Sequence, residues 1–286
     1  MQIKANKYQG NYHRFEIPPT ENKKATLFTC SDVHFDNPKC NRKLFFKHMD
    51  LAVERGAMIA ITGDLFCLMQ GKYDPRGSKS GVREEHNGDN YLDLVINDTA
   101  EKFLPYAKNI ILISRGNHET SVSKRSETDI MERFVERLNL LAGSNIQIGQ
   151  YTGYYTLSFT YSNTNRFTVD VGYSHGNWGG VITKGTLSVV RYASYMPDCD
   201  IMFSGHTHDG WIVTHPRLRK NTHKKTVDVV NQWHVKTGTY KEEFAAGKGW
   251  AVERIAMPKY LGGCFTEFDI TRDGVQFTPT LTPNAL

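Results

Sequence analysis

Short apolar runs, each followed by a cluster of polar residues, are the most regular feature of this sequence. Three of them, at 58–61, 110–113 and 201–203, have the length of buried strands and are bounded by glycine. A further strand is expected at about 25–31, and it also ends in a polar cluster. Because ligands and catalytic groups in layered α/β proteins gather at strand ends, this pattern predicts a functional site where these ends meet.

Between these strands, apolar residues recur at helical spacing. The periodicity predicts helices at about 41–55, 91–106, 128–141 and 184–195, with Thr128 as a plausible N-cap of the third. Gly56 and Gly143 supply C-terminal stops. The strand–helix–strand order at 25–62 is typical of a right-handed parallel unit. Hairpins are predicted at 154–173, 211–235 and 263–279.

The polar clusters contain side chains that bind metals. They read Ser31-Asp32-Val33-His34, Gly63-Asp64, Gly116-Asn117-His118-Glu119, Ser174-His175-Gly176 and Gly205-His206-Thr207-His208. Carboxylate, imidazole and amide donors without cysteine suit Mn, Fe, Zn or Ni better than Ca or a thiolate-bound structural Zn. Seven such donors exceed what one ion with an open position uses, so the clusters predict two metal ions. The seven are Asp32, His34, Asp64, Asn117, His175, His206 and His208.

Taken in order, the five clusters resemble the motifs of the calcineurin-like metallophosphoesterases. The matching frame runs from about 25 to 240. The resemblance implies an α/β fold, a four-layer α-β-β-α sandwich of two mixed β-sheets flanked by helices. It also implies how the ligands are divided between the ions. One ion would be held by Asp32, His34, Asp64 and His208, and the other by Asp64, Asn117, His175 and His206, with Asp64 bridging.

The same resemblance implies a reaction. A hydroxide held between the two ions would attack the phosphorus of a phosphoester in line with the leaving oxygen. His118 matches the family histidine that lies beside the scissile phosphate. It would protonate or stabilise the leaving alkoxide. Arg115 is a candidate for contacting substrate phosphate, and a plain surface arginine is the equally favoured interpretation.

One position departs from the family pattern. Many relatives have an aspartate three residues after the bridging carboxylate, which supports the catalytic histidine, whereas this chain has Cys67. Glu119 and Asp36 are the candidates for replacing that support. Cys67 itself has hydrophobic neighbours and is not expected to be a metal ligand.

A single metallophosphoesterase domain is expected over 1–286, since this length is sufficient for one well-buried core. Within it, 67–90 is predicted to be a lid-like insertion, and a solvated surface loop is about as favoured. As a lid it would bring Lys72, Arg76 or Lys79 to substrate phosphate. The hairpin at 211–235 is basic. Its tip, with Arg217, Arg219, Lys220, Lys224 and Lys225, would contact a polyanion or, as the favoured interpretation, protect a sheet edge.

Composition excludes some classes of protein. Hydrophobic residues make up 39% and charged residues 23% of the chain, which is typical of a soluble globular protein. The net charge of +5 permits an anionic substrate without identifying a nucleic-acid binder. Five scattered cysteines favour reduced thiols in the cytoplasm over a disulfide framework. No signal peptide or membrane-spanning run is recognised, so we expect no membrane partner.

The expected function is therefore that of a dinuclear-metal-dependent phosphoester hydrolase, with manganese favoured. A phosphodiester of a nucleotide or nucleic acid is the preferred substrate, because the basic hairpin and the loop lysines favour it slightly. A phosphomonoesterase, acting on proteins or small molecules, is the alternative. A non-catalytic scaffold is the least favoured reading, since the complete ligand set is present.

Overall fold

Two β-sheets with a shared hydrophobic core form the centre of the protein. The structure, a computed structural model, describes residues 3–20, 22–70, 74, 77, 81–177, 183–222, 225–244, 247 and 250–283. With strands numbered in chain order, one sheet has the order β1 (Lys4–Tyr8), β2 (Tyr12–Ile17), β7 (Thr152–Thr160), β8 (Arg166–Ser174), β9 (Ile201–Ser204), β11 (Thr226–Thr237), β10 (Gly210–Asn221). The other has the order β13 (Gly274–Leu281), β12 (Cys264–Thr271), β3 (Lys24–Cys30), β4 (Met58–Thr62), β5 (Ile110–Ser114), β6 (Gln147–Gly149).

Both sheets are mixed. Strands β3 to β6 are parallel to one another, and β12 and β13 complete that sheet in antiparallel pairs. In the larger sheet, β9 is parallel to both β8 and β11. The carboxyl ends of these parallel strands are the positions where the five polar clusters begin.

Helices cover the outer faces of the two sheets. In the described part of the chain the helices are α1 (Arg42–Glu54), α2 (Tyr91–Phe103), α3 (Asn117–Ser126), α4 (Ile130–Ala142), α5 (Ser188–Tyr195) and α6 (Trp250–Glu253), with 3-10 turns at Glu84–His86 and Leu104–Tyr106. Residues of α1, α2 and α4 pack in one core with the six-stranded sheet, and Tyr192 of α5 packs on the other sheet against Met202. The expected four-layer α-β-β-α sandwich is confirmed.

The position of β4 in the fold explains why its sequence is continuously apolar. All five of its residues are buried. Ile59 and Ile61 belong to the core under the helices, while Met58 and Ala60 belong to the core between the sheets. A strand covered on both faces has no solvent side, so it lacks the alternation of an edge strand.

Most predicted elements are found close to their expected bounds. The Asn41 side chain caps α1 by accepting from the Leu44 amide at 3.0 Å. Asp129, and not Thr128, caps α4, and Gly143 ends it at a φ of +60°. Within the described part of the chain, no helix is both long and apolar enough to span a bilayer.

Several elements were not predicted. The β1–β2 hairpin lies in a segment that reads as polar and aromatic, and α3 and β6 are also additional. The basic hairpin is longer than predicted, with strands Gly210–Asn221 and Thr226–Thr237. As a result Arg217, Arg219 and Lys220 lie along a strand and not at the tip.

Candidate metal centre

Three of the predicted ligands form one compact group. The candidate ligand atoms of Asp32, His34 and His208 all lie within 4.8 Å of one another. His208 Nε2 lies 3.3 Å from Asp32 Oδ1 and 3.2 Å from His34 Nε2. These are three of the four residues that the family resemblance assigns to one ion.

The other ligands form a second group beside the first. Asp64, His175 and His206 also place candidate ligand atoms within 4.8 Å of one another. Asn117 joins them, because its Oδ1 lies 3.0 Å from His175 Nε2 and 2.8 Å from His206 Nδ1. His175 Nε2 lies 3.1 Å from Asp64 Oδ2 and 3.8 Å from Asp32 Oδ1, so the two groups adjoin.

The chemistry of this donor set fits divalent transition metals. Asp32, His34, Asp64 and His175 are almost fully buried, and buried charged or polar groups are stable only with partners that compensate them. Burial, together with the neighbouring His118 and His208, lowers the pKa of His34 well below its ordinary value. His34 therefore presents neutral imidazole, the form that binds metal.

The two carboxylates give the centre a strong negative charge. Burial opposes their ionisation, but His175 and His208 lower the pKa of Asp32, and His175 and His118 lower that of Asp64. In turn, although burial acts against it, the charges of Asp64 and Asp32 raise the pKa of His175 to about 9. This field attracts positive charge to the place where the ligand atoms converge.

Turn geometry positions the ligands. Five of the seven have a left-handed backbone, which is uncommon for residues other than glycine and is concentrated at functional sites. They are Asp32 (φ 51°), His34 (φ 50°), Asp64 (φ 50°), His206 (φ 72°) and His208 (φ 60°). Each chain segment turns sharply as it leaves its strand, which directs the side chains toward the common centre.

Two motif glycines allow carboxylates to approach the neighbouring backbone. A Cβ atom on Gly116 would lie 2.1 Å from Asp64 Oδ1, and one on Gly205 would lie 2.4 Å from Asp32 Oδ2 and 2.3 Å from the adjoining Ser31 Oγ. None of these distances is possible for a real Cβ atom. Glycine at these positions is therefore required by the ligand that it faces.

Glu119 supports the turn that carries Asp64. Its carboxylate accepts from the backbone amides of Gly116 at 2.7 Å, Phe66 at 2.9 Å and Asp64 at 3.2 Å. Burial, followed by the nearby charge of Asp64, raises the pKa of Glu119 to about 8. Glu119 thus holds two motif segments together and does not contact the imidazole of His118.

His118 lies at the edge of the two groups. Its Nδ1 is 2.5 Å from the carbonyl oxygen of Cys67, and its Nε2 is 3.7 Å from Asp64 Oδ2. A carbonyl oxygen only accepts, so Nδ1 donates. The direct hydrogen-bond partner of His118 Nδ1 is therefore a backbone carbonyl and not a carboxylate of Glu119 or Asp36, the two candidates from the sequence.

The Cys67 thiol lies close to the centre. Its Sγ is within 4.8 Å of ligand atoms of His34 and His118. Burial, together with the charge of Asp36, raises the pKa of this thiol to about 12. It is therefore protonated at neutral pH, and a protonated thiol is a poor metal ligand.

The contacts of Arg115 do not support a role in substrate binding. Its guanidinium is buried and donates to Asp129 Oδ2 from Nε at 3.0 Å and from Nη2 at 2.6 Å. It also donates to the carbonyl of Gly149 at 3.1 Å and to Glu132 Oε1 at 3.2 Å. Arg115 instead joins the N-terminus of α4 to the end of β6.

Only some of the basic residues that were predicted to contact substrate are described by the structure, and two of these bind other groups of the protein. Lys72, Arg76, Lys79 and Lys224 lie outside the described residues. Arg219 forms an ion pair with Asp200 at 2.6 Å, and Arg217 donates to the carbonyls of Pro197 and Cys199. Two cations of the hairpin therefore have protein partners, which reduces the support for a polyanion surface there.

Lys236 is a residue of this region that the sequence patterns did not identify. Only 1% of it is exposed, and its Nζ donates to the carbonyl of Gly205, next to His206, at 2.8 Å. Burial lowers its pKa to about 8, against the opposing charges of Asp32 and Asp209. The signal available in the sequence was its position in the stretch 233–240, which contains no other lysine, arginine, aspartate or glutamate.

Comparison with known proteins gives distant structural similarity. Neither family profiles nor curated protein sequences match this chain. Vps29 of Entamoeba histolytica complexed with Zn²⁺ has a TM-score of 0.34 and 12% identity over 89% of this chain and 98% of that one. A predicted phosphoesterase of Streptococcus pneumoniae has a TM-score of 0.34 and 11% identity over 90% and 98%. GAP50, the anchor in the inner membrane complex of Plasmodium, has a TM-score of 0.36 and 13% identity over 90% and 84%.

At this distance these structures carry no argument about activity. The chain resembles the calcineurin-like metallophosphoesterases in its own features, namely five motifs in order at the carboxyl ends of strands in two mixed sheets.

Proposed function

We propose that this protein is a phosphoester hydrolase that uses two divalent metal ions. The observation that carries the proposal is the convergence of seven candidate ligand side chains into two adjoining groups, one around Asp32 and one around Asp64, whose two carboxylates are buried. A purely structural polar cluster needs neither five left-handed turns nor an imidazole beside the centre.

In this proposal one group is Asp32, His34 and His208, and the other is Asn117, His175 and His206, with Asp64 shared between them. Two bound divalent ions would offset the charge of a phosphoester and supply a hydroxide nucleophile near neutral pH. Manganese is favoured, with iron, zinc or nickel as alternatives, because the donors are nitrogen and oxygen atoms.

His118 is the proposed general acid. Its Nδ1 proton is committed to the Cys67 carbonyl, so Nε2 is the atom that faces Asp64 and the centre. In the protonated imidazole, Nε2 would deliver its proton to the departing alkoxide and leave a neutral ring that keeps Nδ1–H. General acid catalysis of this kind contributes about 10²- to 10⁴-fold in rate.

A phosphodiester of a nucleotide or nucleic acid is the preferred substrate class. The net charge of +5 and the exposed Lys220 of the basic hairpin support this preference. A phosphomonoesterase is the alternative. A cytoplasmic location is supported by the five cysteines, which are all free and buried.

The test uses the 286-residue chain, stripped with a chelator and reloaded with Mn²⁺. It is offered bis-p-nitrophenyl phosphate and p-nitrophenyl phosphate in parallel, and the bound metal is counted by elemental analysis. We expect Mn²⁺-dependent cleavage of the diester. Cleavage of the monoester alone would support the phosphomonoesterase, and two bound ions without any turnover would support a scaffold.

A matched pair of histidine variants completes the test. His175→Asn removes a ligand of the second group and should reduce both bound metal and turnover. His215→Asn changes a histidine of β10 outside both groups and should reduce neither.

A further inference from the structure

Asp36, one of the two candidates that the sequence offered for supporting His118, is about as deeply buried as the ligands Asp32 and His34, with 1% of the residue exposed. It accepts from the amide of Cys67 at 2.5 Å, the amide of Leu68 at 2.9 Å and the hydroxyl of Tyr91 at 2.8 Å. A buried carboxylate with three donors is strongly held, and it holds its donors equally strongly.

The peptide group between Cys67 and Leu68 lies between this carboxylate and His118. Its N–H, from Leu68, donates to Asp36 Oδ2, and its C=O, from Cys67, accepts from His118 Nδ1 at 2.5 Å. In a trans peptide these two groups point in opposite directions. One peptide plane therefore connects a carboxylate on one side to an imidazole on the other.

Resting on the proposed function, we infer that Asp36 is a positioning residue for His118, acting through the Cys67–Leu68 peptide. The charge of Asp36 polarises the peptide, and a polarised carbonyl is a stronger acceptor for Nδ1–H. This bond fixes the tautomer of His118 and the direction of its Nε2. A carboxylate, a peptide and a histidine thus take the place of a direct carboxylate–histidine pair.

The backbone of this segment requires such an anchor. Leu68 has a left-handed conformation with a φ of +50°. A non-glycine residue persists there only when its surroundings hold it. Glu119 is not available for this purpose, since its oxygens accept from Gly116, Asp64 and Phe66. The anchor for Cys67 and Leu68 is Asp36.

The central variant is Asp36→Asn, which places an amide NH₂ among donors. We expect kcat to fall about 10- to 100-fold, the scale seen when residues that orient the side chains of a metal site are changed, with KM and bound metal unchanged. The loss should be larger for phenyl phosphate esters than for p-nitrophenyl esters, because the better leaving group has less need of an acid.

A double-mutant cycle tests the route through His118. If Asp36 acts through the imidazole, Asp36→Asn should cost little once His118→Asn is present. An equal loss in both backgrounds would overturn the inference, as would full activity of Asp36→Asn. Tyr91→Phe removes one of the three donors and should give a smaller loss of the same kind.

Asp50 and Tyr106 provide the matched control. The Tyr106 hydroxyl donates to Asp50 at 2.7 Å, the same type of bond as that from Tyr91 to Asp36, but outside the metal centre. Asp50→Asn and Tyr106→Phe should leave turnover unchanged.

A measurement without turnover separates this inference from the proposed function. In the zinc-loaded chain with ¹⁵N-labelled histidine, long-range ¹H–¹⁵N spectra report the tautomer of His118. We expect Nδ1–H in the wild type and a mixture of tautomers in Asp36→Asn and Tyr91→Phe. If the wild type fails to cleave any ester, the hydrolase proposal fails, while the spectra still decide the role of Asp36. An unchanged tautomer in Asp36→Asn would refute that role.

Discussion

Gly116 lies against the carboxylate of Asp64 so closely that a Cβ atom there would be 2.1 Å from Oδ1 and 2.4 Å from the Asp64 amide nitrogen. The φ of Gly116 is −109°, a value that other residues adopt, so the requirement for glycine comes from space alone. Any side chain would displace the proposed bridging carboxylate.

Gly116→Ala should therefore reduce metal affinity by at least about tenfold, the scale seen when groups around a metal site are displaced. The metal affinity is measured by removing metal from each variant with a chelator, titrating with Mn²⁺ and recording the shift in the unfolding temperature. Gly81→Ala is the control, because its Cβ would meet only the end of the Gln70 side chain, at 3.0 Å. Equal affinity of the two variants would contradict a bridging position for Asp64.

His118→Asn should keep both metal ions and lose turnover. The imidazole is not among the proposed ligands, and the shorter amide cannot deliver a proton. We expect kcat to fall about 10²- to 10⁴-fold. Elemental analysis and steady-state kinetics measure the two properties separately, and loss of metal together with activity would make His118 a ligand.

Arg115→Lys should lower stability and leave KM unchanged. A lysine keeps the charge but loses the fork that binds Asp129, so we expect the free energy of unfolding to fall by about 2 kcal/mol. Urea denaturation measures this change. Arg133→Lys on α4 alters an exposed ion pair with Asp93 and should cost less than about 1 kcal/mol. A raised KM with normal stability would restore Arg115 as a substrate-binding residue.

His13 should make the fold sensitive to mild acid. Its ring is buried, and neither nitrogen has a hydrogen-bond partner among the described residues. Burial, and to a smaller extent its cross-strand neighbour Lys7, lower the pKa of His13 from 6.5 to about 4. Below pH 6.5 the His13 ring is protonated in the unfolded chain but stays neutral in the folded chain. Stability from this group is therefore complete above that pH and is lost as the pH falls toward 4.

His13→Phe retains a ring that stacks on Phe15 and removes the titration. Between about pH 7 and pH 5 we expect the wild type to lose about 1–2 kcal/mol more than this variant. Urea midpoints across that range provide the measurement. Parallel curves for the two proteins would show that His13 does not titrate on unfolding.

The elements and ligands that could be predicted from the sequence are those marked by a pattern within a few consecutive residues. Strand β4 is recognisable because both of its faces are buried, and the candidate ligands are recognisable because each lies within a short motif at a strand end. The β1–β2 hairpin was missed because its buried positions include His13, which interrupts the apolar alternation.

Contacts between side chains that are far apart in the sequence could not be predicted from such local patterns. Arg115 looked like a residue of the site because it precedes Gly116, but its partners are Asp129, Glu132 and Gly149. The role of Asp36 depends on Cys67 and Tyr91, which are 31 and 55 residues away along the chain.

The left-handed turns at five of the seven ligands limit how this centre can be transplanted. A designer who grafts the same seven side chains onto regular strand ends of another scaffold would reproduce the chemical groups without their directions. Random variation faces the same barrier, because β-branched residues at those five positions are disfavoured by the backbone before chemistry is considered. A transplanted centre must therefore include the backbone turns as well as the side chains, because the turns set the directions of the ligand atoms.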